Sequence, residues 1–263
     1  MLSIACSIIM FCLSIAGVFL CTLANEQFMV TQIKQTNYTK NVTNEINQRI
    51  QAYHQEAGVT PEVLAEVVPE TLVKENMNEF IQGLYRNEEV TLSGESEVEA
   101  KLNRIIDTYK VKPEDENTQA NEELAIYMIT GIFQRSVQPN YLEKFVEKIL
   151  SVKEILLSSA YIVIGIFSLF MISLIYLLRH SFKRLIQVLA GIVLASGGQL
   201  LLLGGGLFLI SPVQISGQMV AFHQLMTSYT QAFALTLLAV AALEVSIGGL
   251  ILIGTIIHSK VKK

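Results

Sequence analysis

ILLSSAYIVIGIFSLFMISLIYLL, residues 155–178, runs directly into Arg179, His180, Ser181, Phe182, Lys183 and Arg184. A bilayer's hydrocarbon layer is crossed by about 20 helical residues at 1.5 Å each, so this uncharged run is long enough to span one. Its basic flank, free of acids, is the signature of a cytoplasmic edge. Working outward, three more runs have the same character: 2–24, 185–210 and 231–257. The remaining long segment, 25–154, is polar and acidic.

Composition agrees with this partition. The chain has 263 residues, is 51% hydrophobic and only 16% charged, with a mean hydropathy of +0.46. Its charges are concentrated: none lies before Glu26, and between Arg184 and Lys260 the only formal charge is Glu244. Segment 25–154 holds 13 Lys+Arg and 22 Asp+Glu, a net charge of −9. The expected fold is therefore an all-α membrane protein. Four transmembrane helices occupy 1–24, 155–178, 185–210 and 231–257. An acidic, α-helical extracytoplasmic domain at 25–154 is inserted between the first and second, and 258–263 forms a basic cytoplasmic tail. Both termini are expected on the cytoplasmic side of the plasma membrane, and the uncharged link 211–230 on the outer side.

The first run has a rival reading as a signal peptide, with Thr22-Leu23-Ala24 as its cleavage triplet. It lacks a basic leading region and exceeds the usual apolar length of about 7–15 residues, so a retained helix is expected. All three cysteines (Cys6, Cys12, Cys21) fall in it, so the outer domain must fold without disulfides.

Helix signals succeed one another along 25–154. Val42, Ile46, Ile50 and Tyr53 form one apolar stripe. Thr60-Pro61-Glu62 opens a short helix and Pro69-Glu70 another, whose inward face carries Leu72, Val73, Met77, Phe80, Ile81, Leu84 and Tyr85. Ser96-Glu97-Val98-Glu99 reads as a capping box ahead of Leu102, Ile105, Ile106 and Tyr109. The run 112–117 reads as a polar loop. A helix over 119–136 is expected to turn Leu124, Tyr127, Met128, Ile132 and Phe133 inward. Beyond Pro139 the pattern continues unbroken into the second span, which predicts one helix of about 38 residues, ~57 Å long. Its plain role is a tether, and it is also stiff enough to transmit a movement.

Glu244 is the residue most informative about function. A carboxylate at mid-span costs about 2.5–3.5 kcal/mol to insert. By depth, Gln199 and Ser196 on the third span are its expected polar neighbours, with protonated Glu244 hydrogen-bonded to Gln199. Small residues would let the two helices approach closely: Gly197, Gly198, Gly204, Gly205 and Gly206 on one, Gly248 and Gly249 on the other. The small-xxx-small pairs Gly191/Ala195 and Ala242/Ser246 belong to the same expectation. The alternatives are a register-holding hydrogen bond, a proton or ion site, and a polar contact to a partner helix, and the single charge favours the first.

Catalytic signals are absent from the sequence. No two of His54, His180, His223 and His258 share metal-ligand spacing, and neither HExxH, a nucleophile elbow nor a phosphate-binding glycine loop occurs. The expectation is a non-enzymatic protein with no catalytic, cofactor or metal residues and no cofactor. The acidity of 25–154 argues against nucleic acid as a partner. The expected partners are the lipid bilayer and, through the outer domain, an envelope protein or extracellular ligand. Oligomeric state is left open.

Three stretches carry a resemblance: Asn37-Tyr38-Thr39-Lys40-Asn41-Val42-Thr43-Asn44-Glu45-Ile46, Gly58-Val59-Thr60-Pro61-Glu62-Val63-Leu64, and Thr71-Leu72-Val73-Lys74-Glu75-Asn76-Met77. With the first helix, they resemble a group of multi-pass membrane proteins of Gram-positive bacteria with a helical extracytoplasmic domain after the first transmembrane helix. That resemblance implies a bacterial plasma membrane and supplies no activity to carry over. The order of elements also looks like the mechanotransmitting permeases of some ABC systems. Those usually begin with a cytoplasmic segment and have a longer cytoplasmic link than 179–184.

Overall fold

The computed structural model describes residues 1–88, 90, 92–109, 116–209 and 220–261; the side chains of 116–118, 220 and 258–261 lie outside the description. Nine α-helices and no strand are present among these residues: α1 Leu2–Cys21, α2 Glu26–Gln35, α3 Tyr38–Gln51, α4 Glu70–Arg86, α5 Gly94–Tyr109, α6 Glu116–Val137, α7 Asn140–Leu178, α8 Phe182–Leu209 and α9 Val220–Val261. A single 3₁₀ turn, Pro61–Leu64, precedes α4. Four helices are long and apolar enough to cross a membrane: α1, α7, α8 and α9.

The chain divides into two compact units. One comprises Met1–Phe28, Leu150–Gly217 and Met226–Lys263, the other Met29–Ile149 and Gln218–Leu225.

In the first unit, α1 and α8 lie at the centre. Val18 of α1 packs with Leu200 of α8 and with Leu237 and Ala241 of α9. Cys6 of α1 packs with Ile192 of α8 and Leu174 of α7. Since Cys6 meets Ile192 and Val18 meets Leu200, α1 and α8 run in the same direction. On α8 and α9 the order is reversed, because a Cβ at Gly197 would meet Val245 and Glu244, whereas one at Gly204 would meet Leu238. The bundle therefore alternates up, down, up, down. Its outer surface keeps large apolar side chains exposed, among them Tyr161, Ile162, Leu169, Leu202, Leu243 and Leu250. Such a surface is stable only against an apolar medium.

Small residues do bring α8 and α9 together, through a subset of those expected. A Cβ at Gly197 would lie 3.1 Å from Ala241 O, at Gly204 3.3 Å from Ala234 O, and at Gly248 3.1 Å from Ala190 O. Their seven-residue spacing on α8 places Gly197 and Gly204 on one line facing the antiparallel partner. Gly191, Gly198, Gly205, Gly206 and Gly249 have nothing within 4 Å of such a Cβ. Ala195, Ala242 and Ser246 are exposed. Both small-xxx-small pairs thus face outward, because the seam follows a heptad-like line that misses them.

The second unit is built from α2–α6, the start of α7 and the start of α9. The expected stripe of α3 is buried at Val42, Ile46 and Ile50, and that of α4 at Leu72, Val73, Met77, Phe80 and Ile81. The link before α4 is held by Asn47. Its amide donates to Val68 O (2.9 Å) and accepts from Val68 N (3.0 Å), as a paired strand would. Asn87 ends α4 with φ 58, the left-handed conformation that Asn adopts more readily than most residues.

Two expectations are corrected here. Helix α6 buries Ala125, Ile129, Phe133 and Val137, while Leu124, Tyr127 and Met128 are 54%, 73% and 36% exposed. Its sequence carries two overlapping apolar stripes. Contact with α3, α4 and α5 selects the one centred on Ile129, leaving Ile132 half-buried. Helix α5 begins at Gly94, two residues before the expected cap. Ser96 Oγ donates to Ser93 O (3.0 Å), and the Gly94 N–H is taken by Asn76 Oδ1 of α4 (2.9 Å).

Of the other boundaries, that of α7 follows the pattern, and that of α9 corrects the expected link 211–230. Helix α7 has 39 residues, about 58 Å, and starts directly after Pro139. Helix α9 begins at Val220, earlier than the apolar run at 231. Ala221, Phe222, Leu225 and Tyr229 recur at helical spacing there, so it stays helical although it is less apolar. Of the expected loop 112–117, residues 112–115 lie outside the described residues, and Glu116 already belongs to α6.

Candidate functional site

The most polar point of the four-helix bundle is formed by α1, α8 and α9. Glu244 is 8% exposed, and its Oε1 accepts a hydrogen bond from Ser14 Oγ of α1 at 2.6 Å. These residues are 230 apart in sequence. The backbone of α8 reaches the same level through Gly197, where a Cβ would stand 3.1 Å from Glu244 Cβ. Ser196 is fully buried. It lies on α8 between Ile192, which packs with Cys6, and Leu200, which packs with Val18, and so on the side that faces α1.

Three oxygens of α8 and α9 are buried with no hydrogen-bond partner among the described residues: Glu244 Oε2, Ser196 Oγ and Gln199 Oε1. The carboxyl thus pairs with Ser14 rather than with Gln199. Buried polar atoms are nearly always satisfied, so each of the three stands out. Ser14 carried a signal that went unused in the sequence. It stands about 13 residues, ~20 Å, from the start of the chain, as Glu244 does from the end of its own span.

A second polar locus lies in the other unit. Tyr38 of α3 is fully buried, and its hydroxyl and that of Tyr141 of α7 are close enough to perturb one another, yet neither has a well-aligned hydrogen bond. Burial raises the Tyr38 hydroxyl well above the usual phenol value, with Tyr141 and Glu45 adding to the rise. Burial also raises Tyr141, whose ring lies 4.1 Å from that of Phe222. An open groove of about 530 Å³ is lined by Glu62, Val63, Ala65, Glu66, Lys101, Ile105 and Tyr109. Lys101 Nζ already donates to Glu66 O at 2.9 Å there.

Among the described residues, no three His, Cys, Asp or Glu side chains gather as metal ligands. His54 Nδ1 lies 3.0 Å from Gln51 O. Cys6 is buried, Cys12 and Cys21 are exposed, and all three are free thiols.

Fold and site together define an all-helical protein with four helices long and apolar enough to cross a membrane. No family model, curated protein or solved structure matches the chain.

Proposed function

We propose that this is a non-enzymatic bacterial plasma-membrane protein, an accessory or scaffold subunit whose acidic helical domain lies outside the cytoplasm and binds another envelope protein. The observation that carries the reading is the outward face of α6. Leu124, Tyr127 and Met128 share one side of that helix and are exposed, although α6 already has a well-packed buried face. A clustered aromatic, thioether and leucine surface is the composition of an interface core, where Tyr and Met are enriched. The alternating bundle supports the orientation: it sets the start of α1, the end of α9 and the basic link 179–184 on one side, and basic edges belong to the cytoplasm.

The test is photocrosslinking in intact cells from a probe residue placed at Tyr127, with the same probe at exposed Glu75 of α4 as comparison. One partner protein captured from 127, and lost on Leu124→Glu with Met128→Glu, is the expected result. Equal labelling from both positions, or labelling insensitive to the glutamates, refutes the reading.

A second reading, a transport or sensor component acting through Glu244 with the permease-like layout as one form of it, is favoured by the unpartnered oxygens around that carboxyl.

A further inference from the structure

Glu244 is the only formal charge between Arg184 and Lys260, and α1 contributes none. It is buried where three apolar helices meet, with a single hydrogen bond. A buried carboxyl is tolerated when neutral or when its charge is compensated, and the apolar runs 2–24, 155–178, 185–209 and 231–257 hold no basic side chain to compensate it. A cation held by Glu244 would therefore come from outside the chain. We propose that Glu244, Ser14 and Ser196 form a binding site for one small alkali-metal cation within the bundle.

The donor set supports this class of ligand. It consists only of oxygen: the carboxylate of Glu244, the Ser14 hydroxyl that donates to Oε1 and keeps its lone pairs, and the fully buried hydroxyl of Ser196. Hard cations take such ligands, whereas zinc and the later transition metals favour nitrogen and sulfur. One carboxylate matches a monovalent ion; a divalent one would leave a net charge in the apolar interior. Glu244 Oε2 and Ser196 Oγ are each buried without a hydrogen-bond partner among the described residues. Oxygens that share a hard cation are each held to the ion and need no hydrogen bond to one another.

This inference rests on the second reading above and is independent of the face of α6, so either can fail alone. The experiment uses the full-length protein in nanodiscs of zwitterionic phosphatidylcholine, with choline chloride replaced stepwise by sodium, lithium or potassium chloride at constant ionic strength. The readouts are the thermal midpoint of the bundle and binding of radioactive sodium. The wild type is expected to bind one sodium or lithium ion saturably and to rise by about 5 °C at a hundredfold excess over Kd. Glu244→Gln abolishes both responses, and Ser196→Ala weakens affinity about tenfold. The proposal is overturned if the wild type responds no more than Glu244→Gln. It is equally overturned if acidification stabilises the bundle while all cations act alike, which would leave a proton as the sole ligand. Should Glu244→Gln not fold, Ser196→Ala decides: undiminished sodium affinity in that variant overturns the site.

Discussion

Replacing Asn76 by alanine isolates an interaction that no local reading of the chain reveals. Asn76 is 1% exposed; its Oδ1 accepts from Gly94 N and its Nδ2 donates to Leu72 O, both at 2.9 Å. Gly94 is the first residue of α5, so its N–H belongs to the orphan donors of a helix start. Removing Oδ1 leaves that donor buried without an acceptor, at about 1–3 kcal/mol. The small cavity left by the amide adds about 1 kcal/mol. The Leu72 carbonyl, in the first turn of α4, keeps its intrahelical backbone partner. The expected loss is therefore about 2–4 kcal/mol. The comparison is Ser96→Ala, which removes an exposed hydroxyl bonded only to Ser93 O and should cost under ~0.5 kcal/mol. If Ser96 were the true cap the ranking would reverse, since loss of a helix cap costs about 1 kcal/mol. Urea titration of the detergent-solubilised full chain, read by protease cleavage between α4 and α6, measures both. A loss in Ser96→Ala equal to or larger than that in Asn76→Ala refutes the cross-helix cap.

Further consequences follow from the same packing. A methyl at Gly94 would stand 2.6 Å from Asn76 Nδ2 and 2.8 Å from Phe133 Cζ, so Gly94→Ala should destabilise that unit by at least ~2 kcal/mol in the same urea assay. In the bundle, Gly197→Val should force α8 and α9 apart and lower the detergent melting midpoint by several degrees, whereas Gly191→Val, with open space around it, should leave it unchanged. Alkali should unfold the second unit through Tyr38. Its hydroxyl is held above the ordinary phenol value, so near pH 10 the unfolded chain loses a proton that the folded chain keeps. Stability then falls as pH rises through the window above the ordinary value, by up to about 1.4 kcal/mol per pH unit for this one group. Tyr38→Phe should remove that part of the slope in urea midpoints taken from pH 9 to 11.5, while leaving the midpoint at pH 8 nearly unchanged.

Hydropathy and period are properties of one segment at a time, and what they govern was readable without a partner. The four spans, the 3₁₀ turn after Thr60, the start of α4 after Pro69 and the 39-residue reach of α7 from Pro139 are of this kind. So was the solitary position of Glu244. What the sequence alone left undecided was orientation about each helix axis and choice of partner. Helix α6 offers two apolar stripes of similar strength, and only the shapes of α3, α4 and α5 select Ile129 over Tyr127. The seam of α8 runs through Gly197 and Gly204 because α9 crosses there, while Gly191 and Ala195 satisfy the same small-residue pattern facing outward. The Ser14–Glu244 bond joins residues 230 apart, and the cap of α5 comes from another helix. Such contacts have no period to betray them: each exists only because separate helices, once packed, bring one donor and one acceptor to the same depth.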